Sequence, residues 1–168
     1  LQDASLDAVT ADSAYRVTGD VVDGPETREG GHVFVRLAGD GTTLDCAAFE
    51  PTKGFRDRIR SLRAGDRVTV CGEVSDGTLK LEKFAVRELV RTESVTPDCP
   101  DCGRSMKSAG RNQGYRCRDC GTSADGRVER SIERGLERGW YEVPPVARRH
   151  IAKPLVRGGF DAPTHPSR

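Results

Sequence analysis

The sequence is poor in the material of a large core. Aromatic residues make up 5% of its 168 residues and the whole AVILMFWYC set 35%, with a single Met and a single Trp. That supply argues against one extended core and leaves room for one ordinary domain or two small ones. Long apolar runs are missing too. The longest, Cys46–Phe49, has four residues, against the ~20 that a membrane-spanning helix needs. No secretory signal pattern opens the chain, so a soluble, cytoplasmic protein with no membrane partner is expected. It starts at Leu1 rather than Met, which points to a fragment or a processed chain. Also absent are a phosphate-binding glycine loop ending in Lys-Ser/Thr, an HExxH, a nucleophile elbow and a convincing carboxylate pair. The chain alone is expected to be non-catalytic.

A net charge of one sign is lacking only on average. The 27 Lys/Arg and 26 Asp/Glu give +1 overall. Residues 1–96 hold 13 bases and 17 acids, net −4, whereas residues 97–168 hold 14 bases and 9 acids, net +5. Between Gly103 and Arg118 stand Arg104, Lys107, Arg111, Arg116 and Arg118 with no acid among them. Clustering of that kind, more than the total, points to a polyanionic partner.

Period-two alternation marks strands through the first half. Tyr15, Val17, Gly19 and Val21 form one run, Val33, Val35 and Leu37 a second, and Leu44, Cys46 and Ala48 a third. Turn chemistry at Asp23-Gly-Pro25, Gly30-Gly31, Gly39-Asp-Gly41 and Asp76-Gly77 separates the runs. Phe55, Ile59 and Leu62 then recur at helical spacing, with Thr52 as a cap and Gly65 as a stop. Val68, Val70, Gly72 and Val74 return to alternation. Three strands, a short helix and two more strands in roughly 75 residues predict a mainly β fold, the five-stranded OB barrel. Such a barrel binds on the face of its second and third strands. If Val33, Val35 and Leu37 point inward, His32, Phe34 and Arg36 point outward together, an aromatic between two potential cations. A bulge would instead turn Phe34 into the core; the sequence leaves both open. Cys46 and Cys71 read as small buried side chains.

Cys99-Pro-Asp-Cys102-Gly and Cys117-Arg-Asp-Cys120-Gly are two CxxC-G knuckles. Two intervening residues let both thiolates of a tight turn converge on one ion, and the following glycine supplies the positive φ. Four thiolates make a closed, structural zinc site with no position left for reactive water. Disulfides do not suit the expected intracellular setting, and no βαβ pattern supports a redox CxxC. Iron uses similar ligands and stays open. The stretch between the knuckles predicts a hairpin turning near Asn112-Gln-Gly114, displaying its cations with Tyr115 beside them.

Beyond the ribbon, Val128, Ile132 and Leu136 recur every four residues, which predicts a short amphipathic helix. Pro145 is placed to start another. Arg148, Arg149, His150 and Lys153 cluster as further candidates for nucleic-acid contact; His150 is not needed as a metal ligand. The expected organisation is a linker over 1–13 from a missing N-terminal region, an OB domain over 14–92 and a zinc ribbon over 97–125. A basic helical tail over 126–157 and disorder over 158–168 complete it.

These features together resemble the C-terminal part of the archaeal tRNA(Ile) 2-agmatinylcytidine synthetase family. The resemblance rests on Ala48-Phe-Glu-Pro-Thr-Lys-Gly-Phe55, Gly72-Glu-Val, Leu79-Lys-Leu-Glu-Lys-Phe84, both knuckles, and the run from Tyr141-Glu-Val-Pro-Pro to Leu155. It implies an ATP-dependent ligase that attaches agmatine to carbon 2 of the wobble cytidine in the AUA-decoding isoleucine tRNA. N-terminal catalytic domains of the same polypeptide would hold ATP and agmatine, while the OB and ribbon domains grip tRNA, notably its acceptor stem. The rival expectation is a single-stranded DNA-binding module of replication-protein type, although so few aromatics make a poor stacking platform. A protein–protein scaffold is the third class.

Overall fold

The computed structural model describes residues 2–9, 13–49, 52–144, 154–155 and 158–165. In chain order the strands are β1 (Gln2–Ala4), β2 (Ala14–Thr27), β3 (Val33–Gly39), β4 (Thr42–Ala48), β5 (Arg67–Ser75), β6 (Thr78–Glu88) and β7 (Thr92–Val95). They continue as β8 (Lys107–Ser108), β9 (Tyr115–Arg116), β10 (Ser123–Ala124), β11 (Val128–Ser131), β12 (Gly139–Glu142) and β13 (Thr164–His165). One α-helix among the described residues, α1 (Lys53–Arg60), falls between β4 and β5. Strands β2, β3, β4, β6 and β5 pair in that order, and β5 returns to β2, closing a five-stranded barrel. The expected strand–helix order is the observed one.

Alternation explains the barrel. Tyr15, Val17 and Val21 of β2, Val33, Val35 and Leu37 of β3, and Val68, Val70 and Val74 of β5 are buried in one cluster. Burial of each such side chain contributes about 1.5–3 kcal/mol. Helix α1 adds Phe55 and Ile59, and Phe55 meets Phe84 edge-on at 5.6 Å. Its capping residue is Thr52, whose hydroxyl turns back to the Phe49 carbonyl rather than onto the helix. The helix ends at Arg60, well before Gly65, whose φ of 98° shapes the loop into β5.

The second half departs from expectation. Val128–Ser131 is strand β11 rather than helix, antiparallel to β7 with Val128 opposite Val95 and Ser131 opposite Thr92. The four-residue apolar spacing was a coincidence. Val128 is 46% exposed, so no buried helical face exists, and Gly126 and Gly135 weaken helix formation. Arginines tie the strand pair: Arg130 binds Glu93 across it, and Arg127 donates 2.7 Å to the Ser94 carbonyl. Leu136 meanwhile joins the barrel core. Gly139–Glu142, within the expected tail and before the helix placed at Pro145, is also a strand, antiparallel to β6 and buried along its length. The helix expected from Pro145 lies outside the described residues.

The termini are not loose ends either. Residues 2–4, expected to be linker, add β1 in parallel to β2. Residues 164–165, expected to be disordered, add β13 in parallel to β12. Two compact units result, residues 1–89 with 134–168, and residues 90–133. The second unit contains the β7–β11 stem and the small sheet of β10, β9 and β8.

Candidate zinc centre and nucleic-acid interface

The two CxxC-G turns repeat one geometry. In the first, Gly103 N donates to Cys99 O at 2.8 Å and Cys99 N to Arg104 O at 2.8 Å. In the second, Gly121 N donates to Cys117 O at 2.9 Å and Cys117 N to Thr122 O at 2.8 Å. The glycines take φ of 75° and 73°, a conformation that side chains disfavour. Asp101 of the first turn accepts 2.7 Å from Thr122 beside the second, which sews the turns together. All four sulfurs lie within 4.8 Å of one another, Cys99 and Cys117 buried, Cys102 and Cys120 exposed. Sulfurs ~2.3 Å from a tetrahedral zinc stand ~3.8 Å apart; Cys102 Sγ and Cys117 Sγ are 3.6 Å apart. The donor set therefore fits zinc.

The electrostatics call for a cation. Backbone N–H groups of Cys102, and less strongly Asp101, stabilise the Cys99 thiolate and hold that thiol at about 7. Cys120 is pushed up to about 12, chiefly by its hydrogen bond with Cys102. Four thiolates this close need a metal charge among them, and binding the metal releases their protons.

From this staple projects the basic hairpin. Lys107 of β8 lies directly opposite Arg116 of β9, and both line a groove with Arg118, Gln113 and Ser123. Arg111 is exposed at the hairpin tip. Among the described residues, no ion pair is made by Lys107, Arg111, Arg116 or Arg118. Arg104 differs: it spans the two knuckles to Asp119 at 2.7 Å. Tyr115 is half-buried and packs on Cys99, Met106 and Cys117, so it belongs to the ribbon's small core.

On the barrel, β3 keeps its register. Val33, Val35 and Leu37 are buried, Phe34 is half-buried and Arg36 exposed. Phe34 thus faces outward, beneath the Arg28 guanidinium at 4.1 Å. Its surroundings are acidic, however. Arg36 binds Asp45 at 2.8 Å and Asp23 at 3.7 Å, and Glu26 lines the same shallow pocket. His32 sits edge-on against Phe49. This face is self-neutralised, unlike the ribbon groove. Arg148, Arg149, His150 and Lys153 lie outside the described residues.

Residues 96–136 match the family model described as the TiaS C-terminal zinc ribbon domain. The isoleucine-tRNA 2-agmatinylcytidine synthetase TiaS of Haloquadratum walsbyi is 50% identical over all of this chain and 45% of its own length. Its counterpart in Methanosarcina acetivorans is 50% identical over 98% of the chain and 39% of its own length. The chain matches the C-terminal region of TiaS. It spans less than half the length of these relatives. A crystal structure of apo TiaS superimposes with a TM-score of 0.74 at 44% identity, covering 99% of this chain and 40% of that one. A TiaS complex with isoleucine tRNA and ATP gives 0.77 at 44% identity over 95% and 38%. The matched family is described as a zinc ribbon, which agrees with the four-cysteine cluster. Among the described residues no helix is long and apolar enough to cross a membrane.

One cluster in this TiaS-like region was not foreseen. Asp161, in the strap leading to β13, accepts from Arg87 Nη1 at 3.0 Å and Nη2 at 3.2 Å, from Arg16 Nη2 at 2.9 Å and from Trp140 Nε1 at 3.0 Å. Its partners are scattered over sequence separations up to 145, which no local pattern reveals. Hydrogen bonds from Arg87 foremost, then from Trp140, with the charges of Arg87 and Arg16, hold the Asp161 carboxyl down at about 2. An unfolded aspartate titrates near ~3.9. The folded value is the lower one, so the stabilisation is fully present above about pH 4 and is lost as pH falls through about 2. Acid titration followed by emission of Trp140, the only Trp, should show a transition in that window. Asp161→Asn should lack it.

Proposed function

We infer that this chain is the tRNA-holding part of a TiaS-type synthetase working in the cytoplasm. In that reading, N-terminal catalytic domains of the same polypeptide bind ATP and agmatine. They attach agmatine to carbon 2 of the wobble cytidine of the AUA-decoding isoleucine tRNA. The present chain performs no turnover by itself. Cys99, Cys102, Cys117 and Cys120 hold one zinc, which fixes the ribbon; Lys107, Arg111, Arg116 and Arg118 meet tRNA phosphates. Arg104 contributes less because Asp119 already neutralises it. The His32–Phe34–Arg36 face is secondary for the same reason.

The observation that carries this reading is the ribbon groove, in which Lys107 faces Arg116 beside Arg118 without an acid partner. Phosphate contacts of this kind position a substrate without reading its sequence, which suits a module remote from the chemistry. A structural neighbour bound to isoleucine tRNA supports the same assignment. Competition binding tests it: tRNA should displace labelled tRNA far better than oligo-dT does, and affinity should fall steeply with salt. Lys107→Glu with Arg116→Glu should weaken tRNA binding at least tenfold and reduce the salt slope by about two. Equal preference for oligo-dT would overturn the tRNA reading in favour of a single-stranded DNA module.

A further inference from the structure

The strap over β12 lies in a cradle better suited to a phosphate than to the carboxylate it holds. Asp161 receives four N–H groups, from Arg16, Arg87 and Trp140. Its carboxylate meets two arginines, of which Arg16 also pairs with Asp3, 3.3 Å away and 86% exposed at the rim. Lys83, 5.5 Å from the neighbouring Phe160 ring, has Glu142 and Glu82 as its own acidic neighbours. A bidentate guanidinium, here Arg87, with a second arginine beside it recurs where phosphates are bound.

The cradle is also preorganised from beneath. Arg87 is 19% exposed and donates 2.9 Å to Thr69 Oγ1, which is in turn 2.6 Å from Thr18 Oγ1. Both guanidinium groups rest 5.2 Å from the Trp140 ring centroid. Outside the strap, Arg87 keeps Thr69 and Arg16 keeps Asp3 as partners. Phe160 meets Trp140 at 5.4 Å with the rings tilted by 53°, and Asp161 remains 52% exposed. Gly158 and Gly159, both at positive φ, lie between this pair and Leu155, which is buried and hydrogen-bonded to Glu142 at 2.9 Å. Leu155 on one side and Pro163 on the other, its carbonyl accepting 2.8 Å from Trp140 N, hold the two ends and leave Phe160 and Asp161 as the span between them.

We propose that Arg16, Arg87 and Trp140 form a binding site for one nucleotide of single-stranded RNA, occupied in this structure by the chain's own Phe160–Asp161. Asp161 stands where the phosphate goes and Phe160 where the base stacks on Trp140. The tethered strap competes with RNA, so the apparent affinity falls by the fraction of molecules in which the site is open. The site is separate from the ribbon groove and does not rest on the tRNA reading.

The test uses the whole chain, a short oligouridylate and Trp140 emission. Asp161→Ala should bind the oligouridylate about tenfold more tightly than the parent and show quenching of Trp140. Adding Arg87→Ala should abolish both effects, whereas adding Lys107→Glu and Arg116→Glu should leave them. Unchanged affinity in Asp161→Ala overturns the proposal. So does a gain that survives Arg87→Ala, or an equal gain for duplex RNA of the same length. Should Asp161→Ala fail to fold by circular dichroism, Asp161→Asn, which keeps an acceptor for the indole, is held to the same outcomes.

Discussion

Replacing Cys99 and Cys102 together by serine is expected to unfold residues 97–125 while the barrel keeps its melting temperature. The ribbon's own core consists of Cys99, Met106 and Cys117, with Tyr115 and Ala124 packed against them. So few apolar groups cannot offset the entropy of ordering the chain around them. Zinc binding to such ligand sets is worth on the order of 10–16 kcal/mol near neutral pH, several times what burying any one of these side chains contributes. Chelation of the parent chain should have the same effect and be reversed by adding zinc back. Metal analysis should give about one zinc per parent chain. The barrel is insulated, because its cluster runs through β2 to β6 and draws nothing from residues 90–133. Amide exchange checks both halves at once: protection should vanish over 97–125 and persist over β2–β6. A metal-free ribbon that kept protected amides would refute the role assigned to zinc.

Arg134→Ala should cost about 3–5 kcal/mol. Asp66 is completely buried and Arg134 is 3% exposed. Arg134 Nη1 donates 2.7 Å to Asp66 Oδ1, and Nη2 donates to Asp66 Oδ2 and, at 3.1 Å, to the Ser61 carbonyl. Asp66 Oδ2 also accepts the Arg63 backbone N–H at 2.8 Å. Truncating the arginine strands a buried carboxylate, and that desolvated charge, more than the lost attraction, sets the cost. Thermal unfolding should fall by roughly 10–20 °C. Arg60→Ala provides the contrast: its partner Asp57 is 61% exposed, and such pairs are worth about 0–1 kcal/mol. Equal losses from the two variants would show that burial is not what matters.

The barrel was legible because its information is local. Alternation placed the inward residues of β2, β3 and β5, turns marked their ends, and Phe55-Ile59 betrayed the one change of period. The knuckles were legible for the same reason, since ligand spacing and the following glycine lie within five residues. What the sequence concealed depends on distant partners. Val128–Ser131 becomes a strand because β7 offers an edge thirty-odd residues away, which overrides a helical apolar spacing of three residues. Trp140 and Asp161 read as isolated residues until β12 adds to β6 and brings Arg16 and Arg87 beneath them. Phe34 was a matter of register, decided by its pairing with Ala47 and Glu26. Its acidic neighbours Asp23 and Asp45 come from adjacent strands, so period-two reading of β3 alone could not supply them.

The stem beneath the zinc turns has a consequence for how such chains can vary. The barrel is built from chain on both sides of residues 90–133, and the two ends of that excursion meet: Ile132 N donates 2.8 Å to Arg91 O, one step outside the β7–β11 pairing. An excursion whose entry and exit are bonded to each other behaves as a cassette. It can be lengthened, shortened or exchanged for a plain turn without changing the distance the barrel must span. Lineages are thereby free to remodel the ribbon's fingertip while the barrel stays fixed.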